Sequence, residues 1–224
     1  MKTIAVIPAR GGSKRLPNKN ILMLGDLPLI VHSILYAKAN NHLIDAIYVT
    51  TDDAAIKKIA LSYNVNVIDR PSDISGDFEP TVSAVKHVIQ TINEAVETVI
   101  LLQPTNPLRP KTLLEDCINA YNEKTCDSVF TVSQSHHKLG KIENDKFEPF
   151  NYAPGQRSQD LEPLFFENGL LYIANATSVL NNEIMTTNGF PFKINHDFST
   201  IDIDTQADLD YANYILEKSN LNLI

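Results

Sequence analysis

The sequence predicts an α/β fold organised as a doubly wound, mostly parallel sheet. Three observations carry this. Short apolar runs such as Thr3-Ile-Ala-Val-Ile-Pro8, Ala46-Ile-Tyr-Val-Thr-Thr-Asp52 and Thr98-Val-Ile-Leu-Leu-Gln103 have the character of strands buried on both faces. Segments with apolar residues at helical spacing separate them, giving a β-α-β-α-β rhythm. The first run also breaks directly into a Gly-rich loop, and the carboxyl end of a strand is where open α/β sheets bind ligands.

Taken in order, the first strand and its loop are followed by a helix over 28–39, opened by a helix-tolerant Pro28. A strand over 46–52, a short amphipathic helix over 54–64 and a strand over 65–70 come next. A helix over 81–93, a strand over 98–103, a helix over 112–123 and a strand over 128–133 continue the pattern. The rhythm then stops. Residues 134–168 are polar and turn-rich, and a stretch of that length without periodicity suggests a functional insertion. We expect residues 1–133 and 169–224 to form the α/β domain and 134–168 to be an extension that meets a partner subunit. Strands over 169–174 and 191–196 precede the last helix, whose Leu209, Ala212, Ile215 and Leu216 form an apolar stripe.

Composition excludes several classes. With 224 residues, 43% of them hydrophobic and 21% charged, the chain is an ordinary globular protein rather than a disordered or fibrous one. Its 19 Lys and Arg against 27 Asp and Glu argue against general nucleic-acid or anionic-membrane binding, which needs broad positive potential. Any anion must therefore be captured locally. No stretch approaches the roughly 20 apolar residues of a membrane span, and Pro8 and Arg10 interrupt the first apolar run, so no signal peptide is expected. Cys117 and Cys126 suit structural thiols in a reducing compartment, and a cytoplasmic location is expected. His136 and His137 are adjacent, so on a strand they would face opposite ways and serve one metal poorly.

Three stretches carry chemistry. In the first loop, Gly11 and Gly12 let backbone N–H groups approach a ligand, while Arg10, Lys14, Arg15 and Lys19 can neutralise several phosphate charges. This reads as a nucleoside triphosphate cradle. In Gln103-Pro-Thr105-Asn106-Pro-Leu-Arg109, two prolines stiffen a loop just past a strand, which suits recognition of a base or sugar. In Ile201-Asp202-Ile-Asp204-Thr205-Gln-Ala-Asp208, an extended backbone turns both aspartates to one face while the isoleucines face the core. Such a pair can hold Mg²⁺ together with substrate phosphates, unless Asp204 is spent as a helix cap. The chain has no P-loop motif and no dinucleotide-binding glycine motif.

Together with Arg157-Ser-Gln159-Asp and Glu167-Asn-Gly-Leu-Leu-Tyr172, these stretches resemble the CMP-sialic acid synthetase (N-acylneuraminate cytidylyltransferase) family over nearly the whole chain. The resemblance implies a Rossmann-like α/β fold and transfer of CMP from CTP to a nonulosonic acid, releasing pyrophosphate. It implies that Arg10, Ser13 and Lys19 hold the CTP phosphates beside Gly11, Gly12 and Lys14, with Asn20, Thr81 and Asn106 placing cytidine. Gln103, Thr105 and Arg157 would face the sugar acid, with Lys141 and Gln159 assisting, and Asp202 and Asp204 would carry Mg²⁺. The family's homodimer uses the extension to close the neighbouring site. Two departures stand out: Asn106 replaces a common Ser, and Glu167 stands where some bacterial members carry an Arg that contacts the sugar. The competing readings are the same reaction on 3-deoxy-octulosonate, legionaminic or pseudaminic acid, a nucleotide-sugar-dependent glycosyltransferase, and a non-catalytic CTP-binding protein.

Overall fold

Strand β1 (Lys2–Pro8) is the axis of the molecule, with Ile4, Ala5, Val6 and Ile7 fully buried. The structure, a computed structural model, describes residues 2–219. A two-residue hairpin, β2 (Met23–Leu24) and β3 (Leu27–Pro28), leads into α1 (Leu29–Ala39). Then come β4 (Ala46–Thr51), α2 (Ala54–Ser62), β5 (Asn66–Asp69), α3 (Thr81–Thr91), β6 (Val96–Leu101) and α4 (Leu113–Glu123). The second half holds β7 (Ser128–Ser135), β8 (Gly140–Glu143), β9 (Lys146–Pro149), β10 (Leu164–Asn175), α5 (Ala176–Leu180), β11 (Gly189–Lys193) and α6 (Gln206–Lys218).

The main sheet has seven strands in the order β11-β7-β10-β6-β1-β4-β5. All pairings are parallel except the two made by β10, which runs against both β6 and β7. Successive residues of β1 point to opposite faces, and each face has its own core. Ala5 and Ile7 join Leu29, Ile30 and Ile34 of α1 and Leu113, Leu114 and Cys117 of α4. Ile4 and Val6 join Val85 and Val88 of α3 and Val179 of α5. Both faces are thus sealed by helices, which is why the strands read as continuous apolar runs. From β1 the chain winds outward through β4 to β5, then returns to place β6 on the other side of β1. The crevice at the carboxyl end of β1 is therefore the topological switch point of the sheet.

The sequence boundaries hold to within two residues through β7, with β6 two residues earlier than expected, and slip further after it. β10 begins at Leu164, so its first residues fall inside the stretch read as extension and pair with β7, Leu164 opposite Ser135 and Glu167 opposite Val132. The register shifts between Glu167 and Tyr172, where Gly169 has a φ of 75° and an added Cβ would lie 2.6 Å from the Asn106 Oδ1. This bulge breaks the alternation, which hides the start of the strand from a pattern reading. Between β7 and β10 the chain forms the exposed β8–β9 hairpin and a short 3₁₀ turn over Ser158–Asp160. β11 is shifted two residues earlier than expected, and residues 201–203 are extended without joining a sheet.

Candidate active site

The cradle is built where β1 ends. The Ala9 N–H donates to the Thr50 carbonyl at 3.0 Å, and the Gly11 N–H donates to Asp52 Oδ1 at 2.9 Å. A Cβ at Gly11 would lie 2.7 Å from Asp53 Oδ2, so glycine is required there by the close approach of the β4–α2 connection. Gly12 faces open space. The loop is then pinned by Asn20, which is buried and donates through Nδ2 to the Arg10 carbonyl at 2.9 Å. Lys19 and Asn20 lie in a 3₁₀ turn entered through Asn18, whose φ is 56°.

These constraints surround a cavity of about 580 Å³ with Arg10, Ser13, Lys14, Arg15 and Lys19 on one side. Arg70, Thr81, Gln103, Thr105 and Asp204 complete it. Thr81 is the first residue of α3, so that helix presents its positive end to the cavity. Four of the cations are neutralised in pairs. Asp77 bridges Arg10, at 2.8 Å, and Lys14; Asp204 bridges Arg15, at 2.5 Å, and Lys19, at 2.7 Å. The Lys14 ammonium, with Arg10 behind it, holds the Asp77 carboxyl below its ordinary value.

A second cavity of about 450 Å³ adjoins the first and shares Gln103. Asp202, Phe166, Glu167, Tyr172, His137 and Thr200 line it, and among the described residues no Lys or Arg does. Tyr172 donates to Glu167 Oε1, and burial followed by the Glu167 interaction raises the phenol far above its ordinary value.

Asp202 and Asp204 stand at the junction. The Ile203 N–H donates to the Thr105 carbonyl at 2.9 Å, and Ile201 and Ile203 are buried. The intervening acids face outward, Asp202 lining the second cavity and Asp204 the first. The α6 cap does not use Asp204: Thr205 and Asp208 form a reciprocal capping box. Burial, and then the charge of Asp204, raise the Asp202 carboxyl above its ordinary value. A neighbouring carboxylate that opposes the ionisation of Asp202 marks a place suited to a divalent cation. Among the described residues no group of three or more His, Cys, Asp or Glu could hold a metal, so Mg²⁺ here would depend on substrate oxygens.

Several expected site residues lie elsewhere. Asn106 is only 2% exposed and lines the second cavity rather than the cradle; its Nδ2 donates to the carbonyls of Asn168 at 3.1 Å and Ile201 at 2.9 Å. With its amide donating to two main-chain carbonyls, it braces the loop instead of presenting that amide to a nucleotide. Arg109 is likewise internal, donating to the carbonyls of Leu170 at 2.6 Å and Gln103 at 2.8 Å, and burial brings it down to about 10. Lys141 and Gln159 are exposed on the extension, and Arg157 pairs there with Asp160 at 2.7 Å. None of the three lines either cavity. Arg70, Asp77 and Phe78 were missed. Arg70 had a signal: it follows β5 directly, much as Arg10 comes two residues after the end of β1.

Fold and cavity together define an α/β protein of the nucleotidyltransferase fold. A solved CMP:2-keto-3-deoxy-manno-octonic acid synthetase complexed with CTP superposes with a TM-score of 0.73, at 17% identity, over 98% of this chain and 100% of that one. The 4-diphosphocytidyl-2C-methyl-D-erythritol synthase of Anaerococcus prevotii gives 0.66 at 17% identity over 96% and 98%. Within that fold the chain belongs to the cytidylyltransferase family, whose model matches residues 4–221. It is 32% identical to an N-acylneuraminate cytidylyltransferase of Streptococcus agalactiae over 98% of its own length, and spans 56% of that longer relative. It is 31% identical to the CMP-N,N'-diacetyllegionaminic acid synthase of Legionella pneumophila over the full length of both chains. A pseudaminic acid cytidylyltransferase of Campylobacter jejuni is 30% identical over 98% of each chain.

Proposed function

We propose that the chain joins CTP to a nonulosonic acid, forming a CMP-sugar and releasing pyrophosphate, with Mg²⁺ as cofactor. The observation that carries this is the junction of the two cavities at Gln103, with a cationic cradle on one side and the Asp202–Asp204 pair between them. The triphosphate lies among Arg10, Ser13, Lys14, Arg15, Lys19 and Arg70, and the sugar acid occupies the second cavity. Its anomeric hydroxyl attacks the α-phosphorus in line. A bond forms from that oxygen to phosphorus as the hydroxyl loses its proton to water, the bond between the α-phosphorus and the α–β bridging oxygen breaks, and pyrophosphate departs among the cations. Such a transfer rests on positioning and charge neutralisation, which accounts for a site dominated by cations and carboxylates. Asp202 and Asp204 would hold Mg²⁺, which supplies charge neutralisation at the phosphates when bound.

We further propose a homodimer. The extension exposes Leu139, Ile142, Phe147 and Phe150, apolar side chains that a second copy would cover. Lys141 and Arg157 lie on the same extension, where they can supply a neighbour's second cavity with the cation it lacks for a carboxylate. No described helix is long and apolar enough to cross a membrane, and we place the reaction in the cytoplasm. The test is pyrophosphate release from CTP and Mg²⁺ with N-acetylneuraminic, legionaminic, pseudaminic and 3-deoxy-octulosonic acids. Release dependent on one acid supports the proposal; no release with any of them, at a CTP concentration shown to bind, overturns it.

A further inference from the structure

The turn after β5 sits in the cradle as an occupant. Arg70 donates through Nε to the Ile74 carbonyl at 2.8 Å, and the Ser75 hydroxyl donates back to the Pro71 carbonyl at 2.8 Å. This fixes the turn so that Asp77 projects into the cavity and meets Arg10 at 2.8 Å as well as Lys14. The next residue, Phe78, lines the same cavity yet is 99% exposed. A bare aromatic ring gains nothing by standing in water, and beside a nucleotide cavity it has an obvious partner in a base or sugar face.

Resting on the triphosphate reading of the cradle, we propose that Asp77 is an internal stand-in for a nucleotide phosphate and that its displacement moves Phe78. In the free protein the carboxylate keeps the Arg10 and Lys14 heads inside the cavity. A phosphate presents more negative charge and more acceptor oxygens than a carboxylate, so it takes over both cations. Asp77 then carries like charge beside the phosphates and must leave. Because Phe78 is joined to it, the same movement brings the ring onto the bound nucleotide. The cost of expelling Asp77 lowers the affinity for every ligand that needs both cations, and it falls less on a ligand that engages only one. Asp77 is thus a positioning residue that holds the two cations in place and tempers the affinity of the cradle for triphosphates, while ligands that engage a single cation are affected less.

The test uses Asp77→Asn together with a fluorescent reporter. The chain contains no tryptophan, so Phe78→Trp introduces a single indole. Asp77 and Phe78 lie on the surface of a turn, and neither substitution disturbs the core. Calorimetric titration with CTP and Mg²⁺ should show Asp77→Asn binding on the order of fivefold more tightly than wild type, as expected for removing two exposed ion pairs that oppose binding. CMP binding, which engages fewer of the cations, should tighten less than CTP binding. In the Phe78→Trp protein, CTP should change the indole emission with the same midpoint as calorimetry. Unchanged or weaker CTP affinity in Asp77→Asn, or an indole emission indifferent to saturating CTP, overturns the proposal while leaving the cradle reading intact. Failure of CTP to bind the wild-type protein at all overturns both.

Discussion

Replacing Asp204 with Asn separates the two roles this residue can have. Its carboxylate lies between Arg15, 72% exposed at the side chain, and Lys19, 12% exposed. Exposed pairs contribute about 0.2–1 kcal/mol each, and the shielded Lys19 pair belongs near the upper end, so their loss should cost about 1–1.5 kcal/mol of stability. For a chain of this length that lowers Tm by about 2–6 °C. The α6 cap should survive, because Thr205 and Asp208 form it without the Asp204 carboxylate. Turnover should respond far more. If Asp204 anchors Mg²⁺ beside the phosphates, its loss removes a principal electrostatic group from the transition state, and such losses cost about 100-fold, or about 2.7 kcal/mol. Thermal unfolding and continuous pyrophosphate release on the same preparation measure both quantities. A turnover within about threefold of wild type, with the small Tm drop still present, would refute the catalytic role and leave Asp204 as a counter-ion that shapes the empty cradle.

Arg70→Met should raise the KM for CTP at least about tenfold with little change in Tm, since the side chain reaches the cavity and its loss leaves only the Ile74 carbonyl to be re-solvated. Asn106→Leu should do the opposite, costing about 2–4 kcal/mol of stability and roughly 5–15 °C in Tm, because the Asn168 and Ile201 carbonyls lose their buried donor. Asp202 makes a pH prediction. Its carboxyl is raised in the folded state, so the folded protein binds the proton more tightly, and stability falls as pH rises from the ordinary carboxyl value to the raised one. Asp202→Asn should therefore raise Tm at neutral pH, lose that advantage in acid below the ordinary value, and abolish the stabilisation that Mg²⁺ with CTP gives the wild type. Ile142→Asp in the extension, 76% exposed in the single chain, should convert a dimer to monomers in light scattering.

How much of this was legible in the sequence depends on whether a feature is local. The strand runs of β1, β4 and β6 and the caps at Pro28 and Thr205 are written in neighbouring residues, and their positions follow from them. The cradle cations were legible because all but Arg70 lie on one loop. Arg70 comes from another strand end, and only the sheet order reveals that β5 brings it to the same side. Asn106 and Arg109 were misjudged for the converse reason. A polar side chain in a proline-stiffened loop looks free to meet a ligand, but the partners that consume these two, the carbonyls of Asn168, Leu170 and Ile201, are more than 60 residues away. The start of β10 was hidden by its bulge at Gly169, which a period of two cannot accommodate.

The most direct test of the account follows the oxygen. A sugar acid labelled with ¹⁸O at the anomeric hydroxyl is incubated with the protein, CTP and Mg²⁺, and the products are resolved by ³¹P NMR and mass spectrometry. Attack of that hydroxyl on the α-phosphorus requires the label in the bridging position of the CMP-sugar, with pyrophosphate formed in equal amount and unlabelled. Label in the pyrophosphate, or consumption of CTP to CMP without a labelled phosphodiester, would contradict it.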